Sequence, residues 1–370
     1  MYLTIIQKSK YTIQNDYTSF LNQTNIPEEY YSLTLDIEKP KPHNKLTTKQ
    51  IEHIANTALA LHKCYEILKP FEENTENYYY SFKIPKRSGG LRTINAPVDE
   101  FKDALSKVKD IFEYQIKCLP HNSAFAYIKH KSVEDAIVKH QQNKSQWFLK
   151  IDLKDFFPNC TPDFIFRQLM QLYPFYYIGE ESQIRLQKII NICCLNNGLP
   201  QGTPMSPLLT NLVMVSYDYA ISKHLKRFEN NHFVYTRYAD DILISSKSAF
   251  NWRTIQDTLT EMLAPFEINT TKTRYGSRAG SNWNLGLMLN KDNNITIGHQ
   301  KKKTINAMLN NFLKDGSENI KWPKEDIYHL QGLLSYLNHI EPGYYNYIAN
   351  KYSKKYNIKL KTAFKTALNS

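Results

Sequence analysis

The 370-residue sequence predicts an α+β protein in which helices pack behind an antiparallel sheet. The first reason is a change of period: short apolar runs of strand length alternate with longer amphipathic stretches. The second is a pair of strand-like runs, residues 232–238 and 242–245, separated only by Ala239-Asp240-Asp241 and therefore read as a hairpin. The third is composition. Aromatics make up 13% of the chain (26 Tyr, 18 Phe), and there is no Gly/Ser tract, heptad array or internal repeat, which excludes disordered and solenoid classes.

Residues 1–75 read as mixed helix and loop, with a helix over 47–68 where Ile51, Ile54, Ala58, Leu61 and Ile67 share a face. A hairpin-like stretch follows. Tyr78-Tyr79-Tyr80-Ser81-Phe82-Lys83-Ile84-Pro85 leads into a basic turn, Lys86-Arg87-Ser88-Gly89-Gly90, and Leu91-Arg92-Thr93-Ile94-Asn95 returns until Ala96-Pro97 stops it. Residues 101–117 are amphipathic, with Leu105, Val108, Phe112 and Ile116 at helical spacing. Trp147-Phe148-Leu149-Lys150-Ile151 is a short apolar strand ending on Asp152. Helices over 162–173 and 182–196 lead into a proline-closed loop, Gly198-Leu199-Pro200-Gln201-Gly202-Thr203-Pro204-Met205-Ser206-Pro207, and a long helix from about 208 to 228. Beyond the hairpin with carboxylates at its tip come a helix over 255–263, a second hairpin from 285–289 to 295–297, and a basic helical region.

Apolar runs are too short to cross a bilayer, and Met1-Tyr2-Leu3-Thr4-Ile5-Ile6-Gln7-Lys8 contains no long apolar core of a signal peptide. The expectation is a soluble, cytoplasmic protein with no membrane partner. Five cysteines, an odd number without C-x-x-C spacing, argue against a disulfide framework and against zinc. Net charge is +12, and residues 301–370 hold 12 Lys and no Arg against five acids. That balance favours a polyanionic partner; a solvated lysine face is the plainer reading of the same residues.

The chemistry rests on aspartate. Asp152 at a strand end and Asp240-Asp241 at a hairpin tip offer hard oxygen donors at rigid points, which suits two magnesium ions, with manganese as a substitute. Two such ions about 3.5–4 Å apart activate a 3′ hydroxyl and hold a triphosphate during nucleotidyl transfer. Taken alone, Ala-Asp-Asp between strands is most often a solvated turn, and Asp152 is equally unremarkable. The joint pattern is what counts.

Tyr238-Ala239-Asp240-Asp241 resembles the Tyr-x-Asp-Asp box of reverse transcriptases, and Ile151-Asp152-Leu153-Lys154-Asp155-Phe156-Phe157 resembles the palm motif that precedes it. Between them, Leu199 to Pro207, with Asn211 one helical turn on, resembles the family's nucleotide and template loop. The resemblance implies a right-hand polymerase fold of fingers, palm with an antiparallel sheet, and helical thumb, acting as an RNA-directed DNA polymerase. It makes Asp152, Asp240 and Asp241 the metal ligands and places Gln201 and Gly202 against the nucleotide, where a glycine lets backbone come close. An ordinary turn glycine is the alternative for Gly202. Phe157 matches the ring that packs under the sugar and excludes a 2′ hydroxyl, with Phe156 as the rival ring. Lys86 and Arg92 match the fingers residues that grip the triphosphate, a task suited to the planar fork of arginine, although a basic turn is usually just solvated. Lys272 matches the lysine that protonates the leaving pyrophosphate, its rival being a surface lysine.

Within the family, Ile84-Pro85-Lys86 followed by Gly89-Gly90-Leu91-Arg92 resembles bacterial retron and defence-associated enzymes. Gln331-Gly332-Leu333-Leu334-Ser335-Tyr336 and Glu341-Pro342-Gly343 resemble the retron thumb, so the resemblance spans about residues 78–345. Two departures set the chain apart from a typical retron and leave room for a related antiphage group. After Ser132, Asp135 stands where retrons carry Asn and His140 falls one residue late; Asn284-Leu285-Gly286 replaces Val-Thr-Gly. A lone His at a helix end is more often structural.

The implied organisation is an N-terminal helical extension (1–75), fingers (76–150), palm (151–284), and a primer-grip hairpin with basic thumb (285–370). The implied partners are a noncoding RNA as template, deoxynucleoside triphosphates, a DNA or RNA–DNA hybrid product, and a separate effector protein; a homo-oligomer fits equally. Lys301, Lys302, Lys303 and the lysines of 351–365 would track the duplex backbone. Two rivals stand beside this reading: a relative that primes from its own tyrosine or works without a template, and a non-catalytic RNA-binding scaffold. Three acids beside bound phosphate would repel it, which counts against the scaffold.

Overall fold

The computed structural model describes residues 46–85, 89–228, 232–278, 283, 285–318 and 321–369. Most of the N-terminal extension, and Lys86, Arg87 and Ser88 of the basic turn, thus lie outside the described residues. The chain divides into two compact units, one comprising residues up to Ser132, Leu149–Ile244 and Phe250–Arg274, the other Val133–Phe148, Ser245–Ala249 and Tyr275–Ser370.

In the first unit, α1 (Thr48–Leu68) starts on a capping box: Thr47 Oγ1 accepts from the Gln50 amide and Gln50 Oε1 accepts from the Thr47 amide. Strands β1 (Tyr79–Pro85) and β2 (Leu91–Pro97) pair antiparallel, from Tyr79 opposite Pro97 to Pro85 opposite Leu91. Helix α2 (Asp99–Ile111) places Asp99 and Glu100 in its first turn, where they complement the helix dipole, and buries Phe101, Leu105 and Val108. A π-helical turn, Phe112–Ile116, extends it to Lys117, whose left-handed backbone (φ 57°) ends the run.

Helices α4 (Pro162–Leu169) and α5 (Glu180–Cys193) follow, Thr161 capping the former with Pro162 in its first turn. The helix read over 208–228 is two: α6 (Met205–Val213) and α7 (Val215–Lys226), separated at Met214 (φ −81°, ψ −5°). Neither Gly nor Pro marks the break; a tertiary contact accompanies it, Ser216 Oγ donating to Gln168 Oε1 at 2.8 Å. Strands β3 (Trp147–Asp152), β4 (Val234–Tyr238), β5 (Asp241–Ser246) and β6 (Arg274–Ser277) form a sheet in the order β4-β5-β3-β6. Helix α1 packs on α2 and α5, α4 on α5 and α6, and α7 on α8 (Trp252–Met262).

In the second unit, α3 (Val133–Gln142) packs beside the short hairpin of β7 (Met288–Leu289) and β8 (Ile295–Thr296). That hairpin is shorter than its sequence pattern suggests, because Leu285 (φ 47°) and Gly286 (φ 108°) are left-handed and cannot continue a strand. Helices α9 (His299–Ser317), α10 (Lys324–Ile340), α11 (Pro342–Lys355) and α12 (Leu360–Asn369) pack on one another. His140 is fully buried, with Nδ1 2.5 Å from Ser245 Oγ, and burial lowers its pKa to about 3, so it is a neutral core residue. All five cysteines are free and buried. Among the described residues no helix is long and apolar enough to cross a membrane.

Candidate active site

Phe148, Leu149 and Ile151 are completely buried and anchor β3, so its last residue, Asp152, is held at a fixed point with 8% of its surface exposed. The β4–β5 hairpin turns through Ala239 and Asp240, and Ala239, buried and left-handed (φ 57°), sharpens the turn so that Asp241 opens β5. Two backbone bonds align these segments. The Leu153 amide donates to the Asp240 carbonyl at 3.1 Å, and the Asn269 amide donates to the Asp152 carbonyl at 2.8 Å. Asp152 and the Asp240-Asp241 pair, 88 residues further along the sequence, thereby meet.

Their electrostatics follow from that meeting. The Asp240 carboxyl is pushed up to about 6, first by burial and then by the charge of Asp241, with a smaller push from Asp152 and an opposing pull from Lys272. Lys272 Nζ donates to Asp152 Oδ1 at 2.8 Å, which raises its own pKa and keeps it charged. Lys150 Nζ donates to Asp241 Oδ2 at 2.9 Å, and Asn269 Nδ2 reaches Asp152 Oδ1 at 3.2 Å. Among the described residues no group of three or more His, Cys, Asp or Glu side chains is assembled as a ready metal cage. The donor set nevertheless suits a divalent cation: hard oxygens close enough to oppose one another's ionisation, two of them already balanced by ammonium groups.

Beneath the hairpin runs a buried brace. Arg237, 1% exposed, forks onto Asp218 through Nε–Oδ1 (2.9 Å) and Nη2–Oδ2 (2.8 Å), while Nη1 donates to the Ala239 carbonyl (3.1 Å) and to Asn211 Oδ1 (3.2 Å). Tyr235 Oη also donates to Asp218, at 2.5 Å. Asn211 Nδ2 donates onward to the Ala126 carbonyl at 2.8 Å. The guanidinium thus ties the carbonyl at the hairpin tip to α6 and α7.

The loop before α6 is pinned to β2. The Asn95 amide donates to the Gln201 carbonyl at 2.9 Å, and Gly202 (φ 119°) lies so close that a Cβ there would sit 2.8 Å from Ile94 Cγ2. The Leu199 amide donates to the Phe157 carbonyl at 3.1 Å. Of the two rival rings, Phe156 is buried against Phe266, whereas Phe157 is only half-buried. Arg92 is exposed on β2, opposite Ile84.

The structure therefore brings Asp152, Asp240, Asp241 and Lys272 into one cluster, and joins Gln201 and Gly202 to the strand that bears Arg92. Sequence reading missed Lys150, Asp218, Arg237 and Asn269. For Lys150 the signal was present, since strand alternation puts it on the same face as Asp152. For the buried Asp218–Arg237 pair there was none.

Residues 84–325 match the family model described as reverse transcriptase (RNA-dependent DNA polymerase). The chain belongs to the reverse transcriptase family. This reverse transcriptase is 32% identical over 286 residues to the Retron Ec73 reverse transcriptase of Escherichia coli, covering 73% of this chain and 85% of that one. It is 29% identical over 285 residues to the Retron Ec83 reverse transcriptase of the same organism, covering 75% and 88%. It is an RNA-directed DNA polymerase of the retron-like bacterial kind, with a right-hand polymerase fold. Among solved structures, telomerase from Candida albicans in complex with a TWJ fragment of telomeric RNA aligns at a TM-score of 0.42 and 12% identity, over 78% of this chain and 63% of that one.

Proposed function

We propose that this reverse transcriptase copies a noncoding RNA into DNA by two-metal nucleotidyl transfer, in the service of antiphage defence. The observation that supports the mechanism is the nearness of Asp152, Asp240 and Asp241, close enough that Asp241 and Asp152 both oppose the ionisation of Asp240. Asp152, Asp240 and Asp241 would hold two magnesium ions, which supply the charge that activates the primer hydroxyl and steadies the triphosphate. Lys272 Nζ, charged and resting on Asp152, is the group from which the departing pyrophosphate takes its proton. Gln201 and Gly202 orient the incoming nucleotide, and Phe157, the ring that reaches the surface, packs under its sugar. Arg92, with Lys86, grips the phosphates.

In this reading residues 76–150 are fingers, 151–284 palm and 285–370 primer grip and thumb, with 1–75 as an extension. The template role of a noncoding RNA and the defence role are supported by the likeness to retron enzymes, and the effector is a separate protein. The direct test is to replace Asp240 and Asp241 by Asn and follow incorporation of labelled deoxynucleotides on an RNA template. Synthesis should fall by roughly 10³-fold or more, as expected when charge stabilisation at the reacting phosphate is lost; unchanged synthesis overturns the assignment. Sequencing the nucleic acid that copurifies with the protein should return one discrete RNA and its DNA copy, and a random mixture of cellular RNA would count against a dedicated template.

A further inference from the structure

Tyr127 is a residue that neither the motifs nor the proposed mechanism uses, and it occupies an unusual place. Its backbone is left-handed (φ 60°), a conformation that asparagine and glycine tolerate and a bulky aromatic rarely takes. The surrounding structure imposes it. On one side the Ala126 carbonyl is held by Asn211, and the Phe125 amide donates to the Arg237 carbonyl at 2.9 Å. The Arg237 amide in turn donates to the Ser123 carbonyl at 2.7 Å, and Lys131 Nζ holds the Ala124 carbonyl at 2.9 Å. Ala124, Phe125 and Ala126 are buried, whereas Tyr127, the next residue, is 50% exposed.

What the strained residue presents is a ring at the catalytic cluster. Its centroid lies 6.4 Å from that of Phe157 at an interplanar angle of 76°, an edge-to-face pair. The phenol titrates above its ordinary range, chiefly through burial, with Asp240 and Tyr238 opposing its ionisation and Arg92 favouring it. The hydroxyl end therefore lies within electrostatic reach of an acid of the cluster and of the arginine on β2. A structural ring would be expected in the core; this one is half in solvent, set edge-to-face against the one phenylalanine of Phe156-Phe157 that also reaches the surface.

We propose that Tyr127 is a specificity-determining residue for the incoming nucleotide, its ring forming with Phe157 a two-ring wall against the sugar that favours deoxyribose over ribose. This rests on the active-site assignment above. Phe157 meets the buried Phe156 edge-to-face (5.8 Å, 81°), and a second edge-on neighbour held by a clamped backbone restricts its χ1 further and narrows the space for a 2′ hydroxyl. The clamp runs through Asn211 and Arg237, so the groups that set the hairpin tip also set this wall.

The test compares Tyr127→Asn, Tyr127→Phe and Phe157→Ala with the unaltered enzyme, measuring KM and kcat for deoxy- and ribonucleoside triphosphates on a primed RNA template. Asparagine accepts the left-handed backbone, so Y127N removes the ring without forcing the loop to move. Y127N should raise KM for deoxynucleotides and relax the preference over ribonucleotides, each on the order of tenfold, with kcat nearly unchanged. Y127F should keep the preference, because the ring remains. The double variant Y127N/F157A should lose no more discrimination than F157A alone, since the rings act together. An unchanged preference in Y127N, or an equal loss in Y127F, overturns the proposal. Should Y127N melt far below the parent enzyme, Tyr127→Gly, which also accepts this backbone and carries no ring, gives the same reading. Asp240→Asn in the same assay separates the two claims. If it abolishes synthesis while Y127N keeps full discrimination, only the Tyr127 proposal fails; if it leaves synthesis intact, the site assignment fails and this proposal with it.

Discussion

Asp240 is built to be uncomfortable when charged. Its ordinary carboxylate pKa near 3.8 is raised to about 6 by burial and by two neighbouring acids, so the native state holds the proton more tightly than the unfolded chain does. The sign follows: native stability from this group is complete below about pH 4 and falls as pH rises through about 6, where Asp240 ionises in place. An Asp240→Asn variant, neutral throughout, should match the parent enzyme in acid and exceed its stability above pH 6 by about 1–3 kcal/mol in chelator-treated buffer. Urea unfolding at pH 4 and pH 7.5 checks this, and a difference that stays constant with pH would contradict it. Adding a divalent cation should close the gap by stabilising only the protein that binds it. Positions such as Asp240 were legible because a carboxylate pair at a hairpin tip is a local pattern. Arg237 was not. A guanidinium with 1% exposure runs against hydrophobic patterning, and its partner Asp218 lies on another element, so only the fold reveals the pairing. Breaking such a pair from one side typically costs about 3–5 kcal/mol, which makes it a poor place for casual substitution.

At the scale of elements, strand-to-loop junctions do most of the positioning. The strand ending on Asp152, the hairpin at 239–241 and the β1–β2 hairpin were all readable from apolar runs and turn residues. The π-turn after α2, the division of α6 from α7 and the four-residue strand β6 were not, because each depends on contacts with distant parts of the chain and none carries a distinctive local sequence. Gly202 is the junction where a small change should matter most. Its left-handed backbone and the 2.8 Å approach to Ile94 leave no room for a methyl group, and the Asn95 carbonyl stands 3.2 Å away on the same side. Gly202→Ala should therefore destabilise the enzyme by about 1–3 kcal/mol and separate the 201–202 loop from β2. The readouts are the melting temperature and KM for deoxynucleotides, both of which should worsen. An alanine variant with unaltered melting and KM would mean that the loop yields freely and has no fixed relation to β2.

Across the whole molecule, the acids, the brace and the loop at 199–207 all belong to the first compact unit, while the lysine-rich helices α9 to α12 belong to the second. The proposed chemistry and the lysine-rich helices thus belong to different compact units. The second unit was the less legible from sequence, since an abundance of Lys, Asn and Tyr blurs the boundary between solvated face and binding face; its helices were expected as a region and found as four distinct elements.

The buried thiols have a practical consequence. Burial pushes Cys64 and Cys194 up to about 12 and holds Cys118, Cys160 and Cys193 higher still, so none exists as thiolate near neutral pH. The folded enzyme should show almost no fast reaction with a colorimetric disulfide reagent, and all five sulfurs should react once it is denatured; a rapidly titrating thiol in the native protein would contradict the packing around it. The enzyme is in effect a silent background for labelling. A single cysteine introduced at an exposed position of the β1–β2 hairpin can carry a fluorophore and report on the surroundings of that hairpin, without first removing any native sulfur.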